Sequence, residues 1–79
     1  MTKRDKALER FLKNPELTHF RRIEIILENL NFEKAGLKGS HYKFRHKEVK
    51  TNLIVPIHHG DCKKHYKRLI AKTIKKKIL

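Results

Sequence analysis

A histidine followed by cations at alternate positions is the part of this sequence best suited to chemistry. The segment is KGSHYKFRH, in which His41 directly follows Gly39-Ser40 and precedes Lys43 and Arg45. An imidazole can accept a proton near neutral pH, which makes His41 a candidate general base. Cations beside it can stabilise charge on phosphoryl oxygens, and backbone amides at a glycine-serine step can approach phosphate.

On RNA, the proton that such a base would remove belongs to the ribose 2′-hydroxyl. The freed oxygen can then attack the adjacent phosphorus without a metal, a cofactor or a protein nucleophile. His41 is therefore a candidate catalytic residue of an endoribonuclease. The predicted RNA contacts are Lys38, Gly39, Ser40, Lys43, Arg45 and His58. Histidine is also an ordinary surface residue, so the pattern leaves open an RNA-binding module that does not cleave.

The charge balance of the chain indicates a polyanionic ligand. Its 79 residues include 21 Lys and Arg against 8 Asp and Glu, which gives a formal net charge of +13. A chain of this length makes one domain and has little material to enclose a small molecule. The site should therefore be an open basic surface on which nucleic acid lies.

The location of the protein is predicted from what the sequence lacks. Cys62 is the single cysteine, which excludes an internal disulfide. The N-terminus has no apolar signal segment, and the longest apolar run, LIVPI, is too short to span a membrane. We expect a cytoplasmic protein with no membrane partner.

Two helices are predicted before residue 31. The first covers Lys3 to Lys13 and ends before Asn14-Pro15, because proline disfavours helix at the residue that precedes it. Thr18 is the predicted N-cap of the second. Ile25 lies off its apolar stripe, and we expect the first helix to cover it. The stripe comprises Phe20, Ile23, Ile26, Leu27 and Leu30.

From residue 32 the apolar period changes to two, which predicts three strands. They are Phe32 to Leu37, His41 to His46 and Thr51 to Ile57, with a turn around Lys47 to Lys50. A last helix is predicted from Lys64 or His65 to about Ile78. Its apolar side comprises Tyr66, Leu69, Ile70, Thr73 and Ile74.

The predicted fold class is α+β, a three-stranded antiparallel sheet with its helices on one face. If Tyr42 and Phe44 face the helices, then His41, Lys43 and Arg45 face solvent, because successive side chains of a strand alternate. On the third strand the same rule predicts that Leu53, Val55 and Ile57 point inward and that Asn52, Ile54 and Pro56 point outward.

The motifs GSHYKF and VPIH, followed by an apolar-striped helix, resemble the HicA toxin family. The resemblance runs from about Ile23 to Ile78. It implies a double-stranded-RNA-binding-domain-like fold, a metal-independent endonuclease that cleaves mRNA, and His41 as the catalytic histidine. It also implies a HicB-like antitoxin that covers the active face. Residues 16–79 would form the HicA-like domain and residues 1–15 an N-terminal helical extension.

A cluster of metal-ligand residues offers a third interpretation, a metal-binding interaction domain. His58, His59, Cys62 and His65 follow one another closely. Their spacing does not match the paired ends of structural zinc modules, and we therefore predict no metal site. His58 is instead expected near the open face beside His41, and His59 and His65 in solvent.

Overall fold

Helices and strands follow one another in the predicted order. The computed structural model describes residues 3–79, and the side chains of residues 6–36 and 39–79. The first two residues of the predicted extension lie outside this part. The elements are α1 (Lys3–Lys13), α2 (Phe20–Asn29), β1 (Glu33–Lys38), β2 (His41–His46), β3 (Val49–Pro56) and α3 (Lys64–Thr73), with a 3₁₀ turn at Pro15–Leu17 and a π-helical turn at Ile74–Ile78.

The N-terminus of α2 differs from the prediction. Its N-cap is His19, whose Nδ1 accepts a hydrogen bond from the Arg21 N–H at 3.1 Å. Thr18 is the C-cap of the preceding 3₁₀ turn, where its N–H donates to the Pro15 carbonyl at 3.3 Å. The predicted Thr18 cap is therefore wrong by one residue.

The sheet is antiparallel in the order β1-β2-β3, so β2 is central as predicted. The bounds of β2 are confirmed, whereas β1 and β3 begin one and two residues away from their predicted starts. The second hairpin turn is only Lys47-Glu48. His46 closes it, because its Nδ1 accepts a hydrogen bond from the Glu48 N–H at 2.9 Å. That side-chain bond explains how the turn forms without an Asn-Gly pair.

A β-bulge at Ala35 interrupts the pairing of β1 with β2. Glu33 pairs with Arg45 and Lys34 with Phe44, but the next pair joins Gly36 to Lys43. The extra residue shifts the alternation of side chains in β1 by one position between Lys34 and Gly36. Glu33 therefore shares the side of the sheet that carries Lys43 and Arg45, a position that the sequence pattern did not predict.

One face of the sheet packs against the helices. Phe44, Leu53 and Val55 are buried there, which confirms the predicted orientation of β2 and β3. Phe11 on α1 is fully buried in the same core. The helix before residue 15 thus contributes to the packing of the sheet. The other buried apolar residues are Phe20, Ile23, Ile26, Leu27, Phe32, Cys62, Ile70, Ala71 and Ile74.

Two predictions about helix faces are wrong. Ile25 is 53% exposed, so α1 does not cover it. On α3, Leu69 is 48% exposed, whereas Lys67 is buried at 5%. The cause is an ion pair between Lys67 and Asp61, which holds the amine on the inner side of the helix.

The fold is α+β and double-stranded-RNA-binding-domain-like, with an additional helix at its N-terminus. None of the helices within residues 3–79 combines the length and the apolar character needed to cross a membrane.

Candidate nucleic-acid interface

The open face of the sheet, the face without helices, carries His41 and the predicted cations Lys43 and Arg45, whereas the side chain of Lys38 lies outside the described residues. His41, Lys43 and Arg45 alternate on β2 and are all exposed. Their pairing partners on β3 are Pro56, opposite His41, and Ile54, opposite Lys43. Partners in an antiparallel ladder share a face, so an apolar row lies beside the basic row.

A two-residue turn presents His41 at the start of β2. Lys38 pairs with His41 across the turn, and Gly39 and Ser40 form its centre. Gly39 has a φ of 63°, which a residue with a Cβ rarely adopts. Glycine in the first central position is typical of a type II′ turn, whose twist suits a hairpin. The glycine-serine step is therefore explained first by the geometry of the hairpin.

The end of β3 is fixed to this turn. The Ile57 N–H donates to the Ser40 carbonyl at 2.7 Å. His58 follows directly, is exposed, and exchanges main-chain hydrogen bonds with Asp61 at 2.8 and 3.1 Å. The chain thus returns to the turn that precedes His41, and His58 comes at the start of the next loop.

Arg45 reaches the open face but is paired there. Its guanidinium donates to Glu33 Oε2, with Nη2 at 3.1 Å and Nε at 3.4 Å. The two side chains are 61% and 70% exposed, so solvent screens the pair and its net free energy is small. Glu33 nevertheless neutralises part of the positive charge with which Arg45 could attract a phosphate. Among the described side chains, no carboxylate forms an ion pair with Lys43.

Asp61 organises the loop that follows β3, and sequence reasoning missed it. Its Oδ1 accepts hydrogen bonds from the Phe20 N–H at 3.0 Å and the Cys62 N–H at 2.8 Å, and Lys67 Nζ lies 3.2 Å from the carboxylate. Burial opposes ionisation of Asp61, but these hydrogen bonds and the Lys67 charge outweigh it and lower the pKa of the carboxyl. The signal available in the sequence was Asp61 itself, an acidic residue within a loop of basic residues.

The loop residues proposed as metal ligands are separated by burial. His58, His59 and His65 are exposed, as predicted for the last two, whereas Cys62 is buried. Burial raises the pKa of the Cys62 thiol to about 11, which disfavours the thiolate that metal binding requires. Within residues 6–36 and 39–79, no group of three or more His, Cys, Asp and Glu side chains could hold a metal ion.

Comparison with known proteins identifies a family for this chain. Residues 20–76 match the family model described as the HicA toxin of bacterial toxin-antitoxin systems. No curated protein and no solved structure matches the chain. The matched segment contains α2, the whole sheet and α3, and therefore both His41 and the open face. The chain belongs to the HicA toxin family, whose members act in toxin-antitoxin systems with a HicB-type antitoxin.

Proposed function

We propose that the chain is a toxin that cleaves mRNA as a metal-independent endoribonuclease, and so inhibits translation and growth. The observation that carries the proposal is the exposed position of His41 at the start of the central strand, on the same face as Lys43. A strand fixed on both sides holds this imidazole on a rigid support. Family membership supports a toxin, and the site supports RNA as its target.

The proposed reaction needs one proton transfer by the protein. A neutral His41 ring nitrogen takes the proton of a ribose 2′-hydroxyl, and the 2′-oxygen forms a bond to the adjacent phosphorus. The bond from phosphorus to the 5′-oxygen breaks, and that oxygen takes a proton from water. The products are a 2′,3′-cyclic phosphate and a 5′-hydroxyl. The cyclic phosphate identifies internal attack.

The predicted RNA contacts have unequal support. Lys43 has the strongest, because it shares the face of His41 and is exposed. Arg45 contributes less while Glu33 holds it. Lys38 pairs with His41 through its backbone, and Gly39 and Ser40 form the intervening turn, so their amides lie beside the proposed base. His58 comes one residue after the chain is bonded to that turn.

We further propose that the antitoxin neutralises the toxin by covering the open face. An antitoxin bound there would prevent access of RNA to His41 and Lys43 together. The charge of the chain, +13, favours an acidic partner as well as RNA.

The test compares the purified wild-type chain with a His41→Ala variant on a labelled RNA, with and without a chelator. We expect cleavage to fall roughly 10²- to 10⁴-fold in the variant and to be unaffected by the chelator. The matched control is His65→Ala, which removes an exposed histidine from α3 and should leave cleavage intact. RNA binding by His41→Ala should stay nearly unchanged.

Two results would contradict the proposal. If the wild type binds RNA without cleaving it, the chain is an RNA-binding module of the same fold. If the chelator abolishes cleavage, a metal takes part and the single-histidine mechanism is wrong.

A further inference from the structure

The outer side of β3 is a second surface with its own chemistry. In the described part of the chain, the strand order β1-β2-β3 gives β3 a neighbour on one side. A groove of about 620 Å³ runs beside it, between the strand and α3. Lysines line the groove, and none of the described residues that line it is acidic. The lysines that line the groove are Lys50, Lys72, Lys76 and Lys77.

Main-chain groups of β3 point toward this side. The Ile57 N–H bonds to the Ser40 carbonyl, which fixes the phase of the ladder between β2 and β3. Main-chain groups alternate in direction along an antiparallel strand, so those of Leu53 and Val55 point toward β2. The N–H and carbonyl of Ile54 consequently point outward. Pro56 has no N–H, so the donor of Ile54 is the last one at this end of the strand.

Exposed apolar side chains lie on both sides of this outer edge. Ile54 is 53% exposed and shares the open face with Lys43. Leu69 of α3 is 48% exposed on the helix side, where Lys72, Lys76 and Lys77 also lie. An added strand would direct alternate side chains to these two sides. Apolar side chains of the added strand would contact Ile54 on the open face, and its carboxylates would face the lysines on the helix side.

We propose that the outer edge of β3 binds an extended acidic segment of a partner protein as an added strand. The segment pairs with the outward main-chain groups of Ile54, places an apolar side chain against Ile54 and directs carboxylates toward the lysines of α3 and of the π-helical turn that follows it. RNA would account for the lysines but for neither Ile54 nor its main chain. A HicB-type antitoxin is the expected source. The proposal does not depend on ribonuclease activity.

The first experiment follows amide hydrogen exchange of the full-length chain with a short synthetic peptide of alternating valine and glutamate. We expect exchange of the Ile54 amide to slow roughly tenfold or more, because its hydrogen becomes bonded. The Val55 amide already bonds to β2 and should change little. A peptide of the same composition, with its valines and glutamates in separate blocks, controls for charge.

The second experiment reverses charge in the groove. Lys72→Glu with Lys76→Glu should weaken binding of the alternating peptide roughly tenfold or more. The matched control is Lys6→Glu with Lys13→Glu, which makes the same change of net charge on exposed positions of α1. The control should bind nearly as well as the wild type.

Three outcomes would overturn the proposal. In the first, the block peptide binds as tightly as the alternating peptide. In the second, the Ile54 amide exchanges at the same rate with and without bound peptide. In the third, the two charge-reversed proteins lose the same affinity for the alternating peptide. Protection of Ile54 by a single-stranded RNA, lost in Lys72→Glu with Lys76→Glu, would instead assign the groove to nucleic acid.

Discussion

The two ends of β2 carry histidines with opposite surroundings. His41 at the start is exposed on the open face. His46 at the end is half-buried, with Nε2 2.9 Å from the Leu30 carbonyl and Nδ1 accepting from the Glu48 N–H. These bonds fix its tautomer with the proton on Nε2. The two histidines are five positions apart, an odd number, so the strand turns them to opposite faces. Position in the alternation therefore separates a structural histidine from one available for chemistry.

The same division applies to charged residues. Asp61 and Lys67 on the covered side are held by several hydrogen bonds, whereas the Glu33–Arg45 pair on the open face is exposed. Substitutions on the covered side should therefore change the free energy of unfolding, and those on the open face should change RNA binding or cleavage.

The largest effect is expected at the helix that precedes the family match. Phe11→Ala should lower the free energy of unfolding by about 3–5 kcal/mol, because it removes a fully buried ring from the common core. Leu17→Ala truncates a side chain that is 83% exposed and should cost within about 0.5 kcal/mol. Urea denaturation measures both. Equal, small effects would show that α1 is not part of the cooperative core.

Asp61→Ala should cost about 3 kcal/mol. This lies at the lower end of the range for breaking a buried ion pair, because the Asp61 side chain is 35% exposed while Lys67 remains buried without its partner. Urea denaturation again provides the measurement. Recovery of stability in Asp61→Ala with Lys67→Met would confirm the cause, whereas an additive loss would contradict it.

Acid should remove the Asp61 contribution. The pKa of Asp61 is lower in the folded than in the unfolded chain, so its stabilisation is present above the unfolded value of about 4 and is lost as the pH falls through the lower, folded value. The free-energy difference between the wild type and Asp61→Asn should therefore shrink below about pH 4. Denaturation midpoints at several pH values test this. A difference that stays constant in acid would exclude Asp61 as the titrating group.

The two β2 histidines provide the direct test of the comparison. His46→Ala should cost about 1–3 kcal/mol, since it leaves the Leu30 carbonyl unpaired and removes the ring that lies 4.8 Å from Phe32. His41→Ala should change stability by less than about 0.5 kcal/mol. Thermal and urea unfolding of the two variants measure both changes in the free energy of unfolding. A large loss in His41→Ala would mean that its imidazole is structural.

The smallest effect is expected from Glu33→Gln. Stability should change by less than about 1 kcal/mol, because the pair with Arg45 is exposed. RNA affinity should rise roughly two- to fivefold at low salt, since Arg45 is released toward phosphate. Fluorescence anisotropy with a short RNA measures it, and Arg45→Ala combined with Glu33→Gln should abolish the gain.

The sequence predicted those features that depend on neighbours along the chain. Alternation in β2 was sufficient to orient His41, Lys43 and Arg45, and Asn14-Pro15 was sufficient to end α1. Features that depend on distant partners were missed. The apolar pattern of α3 favoured Leu69 over Lys67, because it contains no information about Asp61 in the preceding loop. The pairing of Arg45 with Glu33 required the register of β1.

The bulge at Ala35 determines which charge the first strand presents on the open face. With it, Glu33 lies beside Arg45, and Lys34 lies on the helix side, 2.9 Å from Glu24 and 4.4 Å from the centre of the Tyr42 ring. If Ala35 instead took part in regular pairing, it would lie opposite Phe44 and Lys34 would lie opposite Arg45, so the open face would carry an amine in place of a carboxylate. Because Glu33 lies beside Arg45, the attraction for polyanions is weaker at that end of the sheet. Polyanion binding should therefore be strongest at the end that holds His41.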